Sequence, residues 1–299
     1  MAKGNDLLLL LRRLVCVLGG IGFLGWAMAA PAQTARPVKV IMITDMEGVD
    51  GIFDFELQCL PDKSPRWPES RKLLTEEVNA AVDGLLQGGA TEVVVWDGHW
   101  DGDNLSVLDI HPKARLLTGT HKAFDLDPSY SALIFIGQHA MAGAEKGILA
   151  HTHSPDGVQN LWVNGKAVGE IGLEVMHAGS YGIPAIMLSG DTAACKEIAD
   201  LIPKVECAEV KSGVSRSAGL MLPHPVACAL IREKARRAIE RLPEFKPYKV
   251  SGPVDLKVEY TNVGEAPLKA REGFDRVDDR TWIVHGKDFM DAYARYVYH

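Results

Sequence analysis

Four side chains of types that bind divalent metals follow three short apolar segments of the chain. Asp45 and Glu47 follow the first segment, His99 follows the second and His139 follows the third. Residues two apart in an extended segment point the same way, so Asp45 and Glu47 present two carboxylates toward one point. A mixed set of carboxylates and imidazoles suits zinc or a related divalent ion, and two acidic groups able to bridge suit a pair of ions. We therefore predict a metal site formed from these residues.

Each of these side chains also has an ordinary structural interpretation. An acidic turn after a strand explains Asp45 and Glu47, although buried strand ends rarely crowd two like charges without a cation. A single histidine such as His99 or His139 is more often a satisfied core or surface residue. Glu170 is predicted in the first turn of a helix, where either a metal ion or the helix dipole favours a carboxylate. Taken one at a time, the residues leave both interpretations open.

The elements that position these residues alternate between strand and helix. In chain order, the predicted strands are 38–43, 91–96, 131–136 and 185–188, and the predicted helices are 68–86 and 168–178. This alternation predicts an α/β fold with a mostly parallel sheet and flanking helices. Open sheets of this kind bind ligands beyond the carboxyl ends of their strands. The four side chains are expected at that edge.

The C-terminal part of the chain has a different pattern. Its predicted elements are a basic amphipathic helix, a proline-spaced linker, two strands and a short helix, at 225–241, 243–253, 254–260, 281–284 and from about residue 288. We therefore predict a metal-binding α/β catalytic domain over residues 38–242. A smaller C-terminal α+β lobe is predicted over residues 243–299.

The first 32 residues have the features of a secretory signal peptide. Lys3, Arg12 and Arg13 precede an apolar run at 14–30, and small residues follow it. We predict an exported protein, periplasmic or secreted, with no stable membrane association once residues 1–32 are removed. The alternative is an uncleaved N-terminal anchor, since the apolar run is near the lower length limit for crossing a bilayer.

Composition restricts the classes of function. The net charge is −7, and a basic stripe occurs only in the helix that includes Arg232 and Arg241, which disfavours a nucleic-acid partner. The cysteines beyond residue 32, for which sequence does not rank the three pairings, are Cys59, Cys195, Cys207 and Cys228. None of them has the surroundings of a catalytic thiol.

Taken together in order and spacing, a series of short motifs resembles the D-aminopeptidase family of binuclear zinc peptidases. The motifs are Asp45-Met46-Glu47-Gly48, Thr75-Glu76-Glu77-Val78-Asn79, Asp97-Gly98-His99, Gly137-Gln138-His139-Ala140, His151-Thr152, Asn164-Gly165, Val168-Gly169-Glu170, Pro184, Ser189-Gly190-Asp191 and Lys211. The resemblance covers the chain from about residue 38 to the C terminus. It is strongest between residues 45 and 211.

The resemblance assigns roles to individual residues. The zinc ligands that it implies, for two ions per subunit, are Asp45, Glu47, His99, His139 and Glu170. It implies that His151, rather than His153 two residues later, is the catalytic histidine. We choose Asp45 as the carboxylate that bridges the two ions. The family usually has serine where this chain has Gly98, a difference that removes a hydroxyl but no ligand.

The resemblance also implies an activity, which is the release of N-terminal D-amino acids from short peptides by a metal-activated water. Family members form ring-like homo-oligomers, decamers of two pentamers, whose active sites face an inner chamber. The alternatives are a metal-dependent amidase or esterase of other specificity, and a non-catalytic periplasmic metal- or solute-binding protein. A binding protein has no need of His151, which disfavours the second alternative.

Three further polar residues in these motifs have two interpretations each. Asp97 either orients His99, as metal-bound histidines usually require, or is a turn residue after its strand. Glu77 and Asn79 lie on a long helix, and they either bond that helix to a loop or take part in catalysis.

Overall fold

The structure is a computed structural model, described over residues 37–119, 126–263 and 273–298. The signal peptide predicted at residues 1–32 therefore lies outside the described residues. Within the described residues, no helix combines the length and apolar character needed to cross a membrane.

Twelve strands and six helices make up the described chain. Numbered along the sequence, the strands are β1 (Lys39–Thr44), β2 (Glu92–Asp97), β3 (Ala114–Leu117), β4 (Ala132–Gln138), β5 (Val158–Val163), β6 (Lys166–Ala167), β7 (Ala185–Asp191), β8 (Glu206–Ser215), β9 (Ala218–Met221), β10 (Val254–Tyr260), β11 (Phe274–Arg276) and β12 (Thr281–Gly286). The helices are α1 (Phe55–Gln58), α2 (Trp67–Gln87), α3 (Glu170–Ser180), α4 (Thr192–Leu201), α5 (His224–Glu240) and α6 (Phe289–Tyr298).

Sheet A contains seven strands in the order β3-β2-β1-β4-β7-β8-β9. All its pairings are parallel except that of β8 with β9. Every residue of β4 and of β7 is buried, as expected for central strands covered on both faces. The predicted α/β fold with a mostly parallel sheet and flanking helices is confirmed.

Sheet B is antiparallel and contains five strands in the order β11-β12-β10-β5-β6. Its apolar face packs against α3 and α6, where Leu173, Met176 and Phe289 are buried. Strands β5 and β6 come from residues 158–167, far from the C-terminal segment that supplies the other three strands. The C-terminal segment therefore does not form this sheet alone, and the division at residue 243 stays a prediction.

The helices begin and end where local sequence favours it. Pro68 occupies the first turn of α2, where its missing N–H costs no hydrogen bond, and Gly88 ends the helix. Asp191 caps α4 by accepting a hydrogen bond from the backbone N–H of Ala194, at 2.8 Å. Helix α2 packs on α5, and α3 packs on both α4 and α6. Glu170 is the first residue of α3 and so lies in the first turn of this helix, where it is predicted.

Candidate metal centre

The ends of three adjacent strands bring the predicted ligands together. Strand β1 lies between β2 and β4, and Thr44 pairs with both Asp97 and Ile136. The segments that continue beyond these strands are held close, because the backbone N–H of Gly48 donates to the carbonyl of Gly137 at 2.7 Å. Gly137 has a φ of 73°, and a Cβ there would lie 2.2 Å from the carbonyl oxygen of Asp45. This approach therefore requires glycine.

One side of the centre combines Asp45 and Glu47 with His99. The Nδ1 atom of His99 lies 2.9 Å from Asp45 Oδ1 and 3.2 Å from Glu47 Oε2. All three side chains are buried. Two carboxylate oxygens thus face a single imidazole nitrogen.

The other side of the centre combines Asp45 with His139 and Glu170. The Nε2 atom of His139 lies 3.2 Å from Asp45 Oδ2 and 3.5 Å from Glu170 Oε1. Asp45 therefore directs one carboxylate oxygen to each side of the centre. A carboxylate placed in this way would reach a cation on either side.

The remaining ring nitrogens of both histidines are held by backbone carbonyls. Nε2 of His99 lies 2.8 Å from the carbonyl oxygen of Cys59, and Nδ1 of His139 lies 2.9 Å from that of Ala140. A carbonyl only accepts, so each of these nitrogens carries a proton and donates it. The opposite nitrogen, which faces the carboxylates, is then available as a metal ligand.

His151 lies against the second side of the centre. Its ring stacks on that of His139, with centroids 4.0 Å apart, and meets the ring of Phe55 edge-on at 6.0 Å. Nδ1 donates to the carbonyl oxygen of Leu149 at 2.8 Å, so Nε2 carries no proton in the neutral ring. Nε2 lies 4.0 Å from Glu170 Oε1. His139, His151 and Glu170 each offer one atom able to bind a metal, and these three atoms all lie within 4.8 Å of one another.

Charge attraction outweighs burial in this cluster. Burial acts to raise the pKa of Asp45, but the adjacent imidazoles of His139 and His99 hold it well below its ordinary value. Burial also acts to raise the pKa of Glu170, yet the charge of His139 lowers it to about 2. Against burial, Glu47 and Asp45 raise the pKa of His99 well above its usual value. Asp45 and Glu170 are therefore ionised and favour cationic partners.

Several supporting residues had no assigned role in the sequence analysis. Nε2 of Gln138 donates to Asp45 Oδ2 at 3.1 Å, and the backbone N–H of His153 donates to Glu170 Oε1 at 2.6 Å. The buried ammonium of Lys211 donates to three carbonyls in the loop after β1, at residues 47, 49 and 52, over 2.6–2.7 Å. Gln138 and Lys211 both lie in the quoted motifs, which is the one sequence signal for them. A backbone contact such as that of His153 has no sequence signal.

The residues with two interpretations from sequence are Asp97, Glu77 and Asn79, and all three form hydrogen bonds that hold loops in place. Both carboxylate oxygens of Asp97 accept hydrogen bonds from Asn104, and Oδ2 also accepts one from the backbone of Leu105. Asp97 thus orders the loop beyond β2, while Cys59 is the partner of the His99 ring.

The two residues on α2 bond that helix to loops. Nδ2 of Asn79 donates to the carbonyl of Asp109 at 2.9 Å, and Oδ1 accepts from the backbone of His111 at 2.7 Å. Oε1 of Glu77 accepts from the backbone N–H of Asp50 at 2.8 Å. Helix-to-loop bonding is therefore the interpretation that these contacts support.

A cleft of about 530 Å³ opens over the cluster. Aromatic side chains from four segments line it, namely Phe55, Trp96, Trp100, Tyr293 and Tyr296. A second cleft of about 630 Å³, which includes Lys196 and Glu197, is lined by none of the six predicted site residues. The aromatic cleft, whose size fits a small substrate, is lined by Asp45, Glu47, His99, His151 and Glu170.

Whether the centre fits a cation can be judged from two of its buried atoms. Glu47 Oε2 and His139 Nε2 have no hydrogen-bond partner, although each lies within 3.2 Å of another site residue. Buried polar atoms without partners are costly unless something compensates them. Three carboxylates and two imidazoles that converge in this way form a donor set suited to zinc.

Comparisons with known proteins point to one family. A family model described as D-aminopeptidase, peptidase family M55, matches residues 38–297. A D-aminopeptidase of Bacillus subtilis (strain 168) is 34% identical over 263 residues, which cover 86% of this chain and 94% of that protein. The solved structure of Zn-dependent D-aminopeptidase DppA from Bacillus subtilis, a self-compartmentalizing protease, is similar with a TM-score of 0.82. That match is 32% identical and covers 87% of this chain and 96% of the other.

Proposed function

We propose that this chain, which belongs to the D-aminopeptidase family, is a zinc-dependent aminopeptidase that releases N-terminal D-amino acids from short peptides. The observation that carries this function is the position of Asp45, between His99 and Glu47 on one side and His139 and Glu170 on the other. The resemblance identified from the motifs is confirmed by the family match.

We propose that each subunit holds two zinc ions. Asp45 Oδ1, Glu47 and His99 would hold one ion, while Asp45 Oδ2, His139 and Glu170 would hold the other. When bound, zinc polarises a substrate carbonyl and lowers the pKa of a water molecule. This arrangement is supported by the two oxygens of Asp45, because Oδ1 lies near His99 Nδ1 whereas Oδ2 lies near His139 Nε2.

His151 is the proposed proton carrier. Its Nδ1–H is committed to the Leu149 carbonyl, which leaves the unprotonated Nε2 beside Glu170 and next to the cleft. A neutral imidazole in this tautomer accepts a proton at Nε2 and then donates it to a leaving amine. The stacked ring of His139 and the edge of Phe55 keep the imidazole plane fixed. The histidine thus adds proton transfer to what would otherwise be a binding site.

The cleft supports a small peptide as the substrate. Its volume of about 530 Å³ is within the range of small-molecule sites, and Trp100 is 55% exposed at its wall. Preference for a D-residue depends on the shape of this wall, because stereochemistry is discriminated by pocket contacts.

We propose assembly and export as well. The related DppA is described as a self-compartmentalizing protease. By family resemblance we expect a homo-oligomer, a decamer, and light scattering that finds only monomer would contradict this. The features of residues 1–32 support export to the periplasm or medium. N-terminal sequencing of the exported protein tests the removal of residues 1–32.

Hydrolysis assays test the proposed function. D-Ala-D-Ala, L-Ala-L-Ala and an ester are incubated with zinc-loaded protein and with chelator-treated protein. We expect turnover of the D-dipeptide only, which is lost after chelation and restored by added zinc, because the ligand set requires a cation.

Other outcomes identify the alternatives. Equal turnover of the D- and L-dipeptides would contradict the stereochemical part of the proposal. Preferred turnover of the ester would support a metal-dependent esterase. If folded, zinc-loaded protein turns over none of the substrates, the non-catalytic binding protein becomes the better explanation.

A further inference from the structure

A second group of ligand-type side chains lies outside the catalytic centre. Asp50 is in the loop after β1, Glu77 is in α2 and His224 is the first residue of α5. One ligand-type atom of each lies within 4.8 Å of the others. Asp50 is 2% exposed and Glu77 is fully buried, whereas the side chain of His224 is 19% exposed. Three separate elements thus converge on one point.

Each carboxylate in this group has one buried oxygen without a hydrogen-bond partner. Glu77 Oε1 accepts the backbone N–H of Asp50 at 2.8 Å, and Asp50 Oδ2 lies 3.2 Å from His224 Nδ1. Glu77 Oε2 and Asp50 Oδ1 have no partner. Burial of such oxygens is unfavourable unless a cation or proton compensates them.

The nearby lysine does not supply the missing partner. The ammonium of Lys211 has three N–H donors, and it directs them to the carbonyls of residues 47, 49 and 52. Its charge acts on the two carboxylates from a distance. Burial nevertheless raises the pKa of Glu77 to about 8 and also raises that of Asp50.

The histidine of this group is held in an orientation suited to a ligand. Nε2 of His224 lies 3.0 Å from Glu76 Oε2, so a proton on that nitrogen is donated to the carboxylate. In that tautomer Nδ1 directs a lone pair toward Asp50 Oδ2, 3.2 Å away, and a cation rather than a proton would then join the two atoms. A carboxylate on the outer nitrogen is the usual partner of a metal-bound histidine.

We propose that Asp50, Glu77 and His224 bind a divalent transition-metal ion such as zinc, at a site separate from the catalytic centre. Two carboxylates and one imidazole suit zinc and its neighbours, whereas calcium and magnesium prefer oxygen ligands alone. The ion would join the loop after β1 to α2 and α5. It stabilises the fold of this loop, and it does not contact the substrate cleft.

Counting bound zinc tests the site. The measurement uses the full chain carrying Asp45→Asn, which removes the shared ligand of the catalytic centre, so that turnover plays no part in the readout. After metal removal and reloading, we expect one tightly bound zinc per chain by mass spectrometry. Adding Glu77→Gln, which keeps the acceptor for Asp50, should abolish that zinc and the rise in melting temperature that zinc produces.

A matched control and a second variant complete the test. Glu69→Gln makes the same change on the same helix at an exposed ion pair with Arg66, and it should keep the zinc. If Glu77→Gln does not fold, His224→Asn at the partly exposed ligand decides the question, since it should weaken zinc binding by at least about tenfold. Equal zinc content with and without Glu77→Gln and His224→Asn would overturn the proposal.

Discussion

Replacing His151 with alanine is expected to leave the zinc content unchanged and to lower turnover of D-Ala-D-Ala by about 10²–10⁴-fold, the usual contribution of a general acid–base. The reason is geometric, because Nδ1 is committed to the Leu149 carbonyl and only Nε2 remains for proton transfer. Steady-state kinetics on the purified variant, together with metal analysis of the same sample, make the measurement. The loss should appear in kcat, since the histidine acts on the proton rather than on binding.

The competing role for His151 is that of a metal ligand. Its ligand-type atom lies within 4.8 Å of those of His139 and Glu170, which is close enough to share an ion. If His151→Ala loses zinc together with activity, His151 is a ligand and its assignment to proton transfer is wrong. His111→Ala is the matched control, because His111 pairs with Asp83 away from the cleft and its replacement should change neither zinc content nor turnover.

The change Asp45→Asn is expected to have the largest effect on metal binding. It removes one negative charge from a buried carboxylate that faces His99 through one oxygen and His139 through the other. Removing one partner of a buried ionic group costs about 3–5 kcal/mol, which corresponds to about 10²–10⁴-fold in metal affinity. Activity should fall at least as far. Zinc titration monitored by calorimetry, followed by assays at saturating zinc, makes the measurement.

Variants of the other predicted ligands distinguish a centre that binds one zinc ion from a centre that binds two. Counted in the Glu77→Gln background, the parent should bind two zinc ions at the catalytic centre. Glu47→Gln and Glu170→Gln should each weaken one of them, because Glu47 lies against His99 and Glu170 lies against His139. Asp45→Asn should weaken both. A single zinc in the parent would contradict the two-ion proposal, and an effect of the exposed control Asp200→Asn would show that the assay responds to charge alone.

The part of the centre that sequence predicts is the part built by strand ends. Asp45, His99 and His139 follow β1, β2 and β4, which are neighbours in sheet A. The carboxyl ends of parallel strands share an edge, so local patterns were enough to expect these residues together. Glu170 was different, because its position depends on where α3 begins after the β5–β6 hairpin. Only the family resemblance selected it, and the same is true of His151.

Sheet B illustrates what local patterns do not contain. Strand β5 pairs with β10, for example Val163 with Leu256, and both strands lie far apart in the chain. Nothing in residues 158–167 indicates this pairing, so that segment was not predicted as strand. The elements α4 and β8 were also missed. Pairing between distant segments is decided by packing over the whole fold rather than by the periodicity of either segment.

The ammonium group of Lys211 has a consequence for how the protein acquires its metal. All three of its N–H donors hold carbonyls of the loop at residues 47–52, and the side chain is 3% exposed. The loop that contains Glu47 is therefore held by an ammonium group of the protein itself, even though burial lowers the pKa of Lys211 to about 8. We expect the enzyme emptied at the catalytic centre to keep this backbone in place, so that reloading there is limited by ion entry rather than by refolding. Metal exchange in the folded protein should then be fast and repeatable.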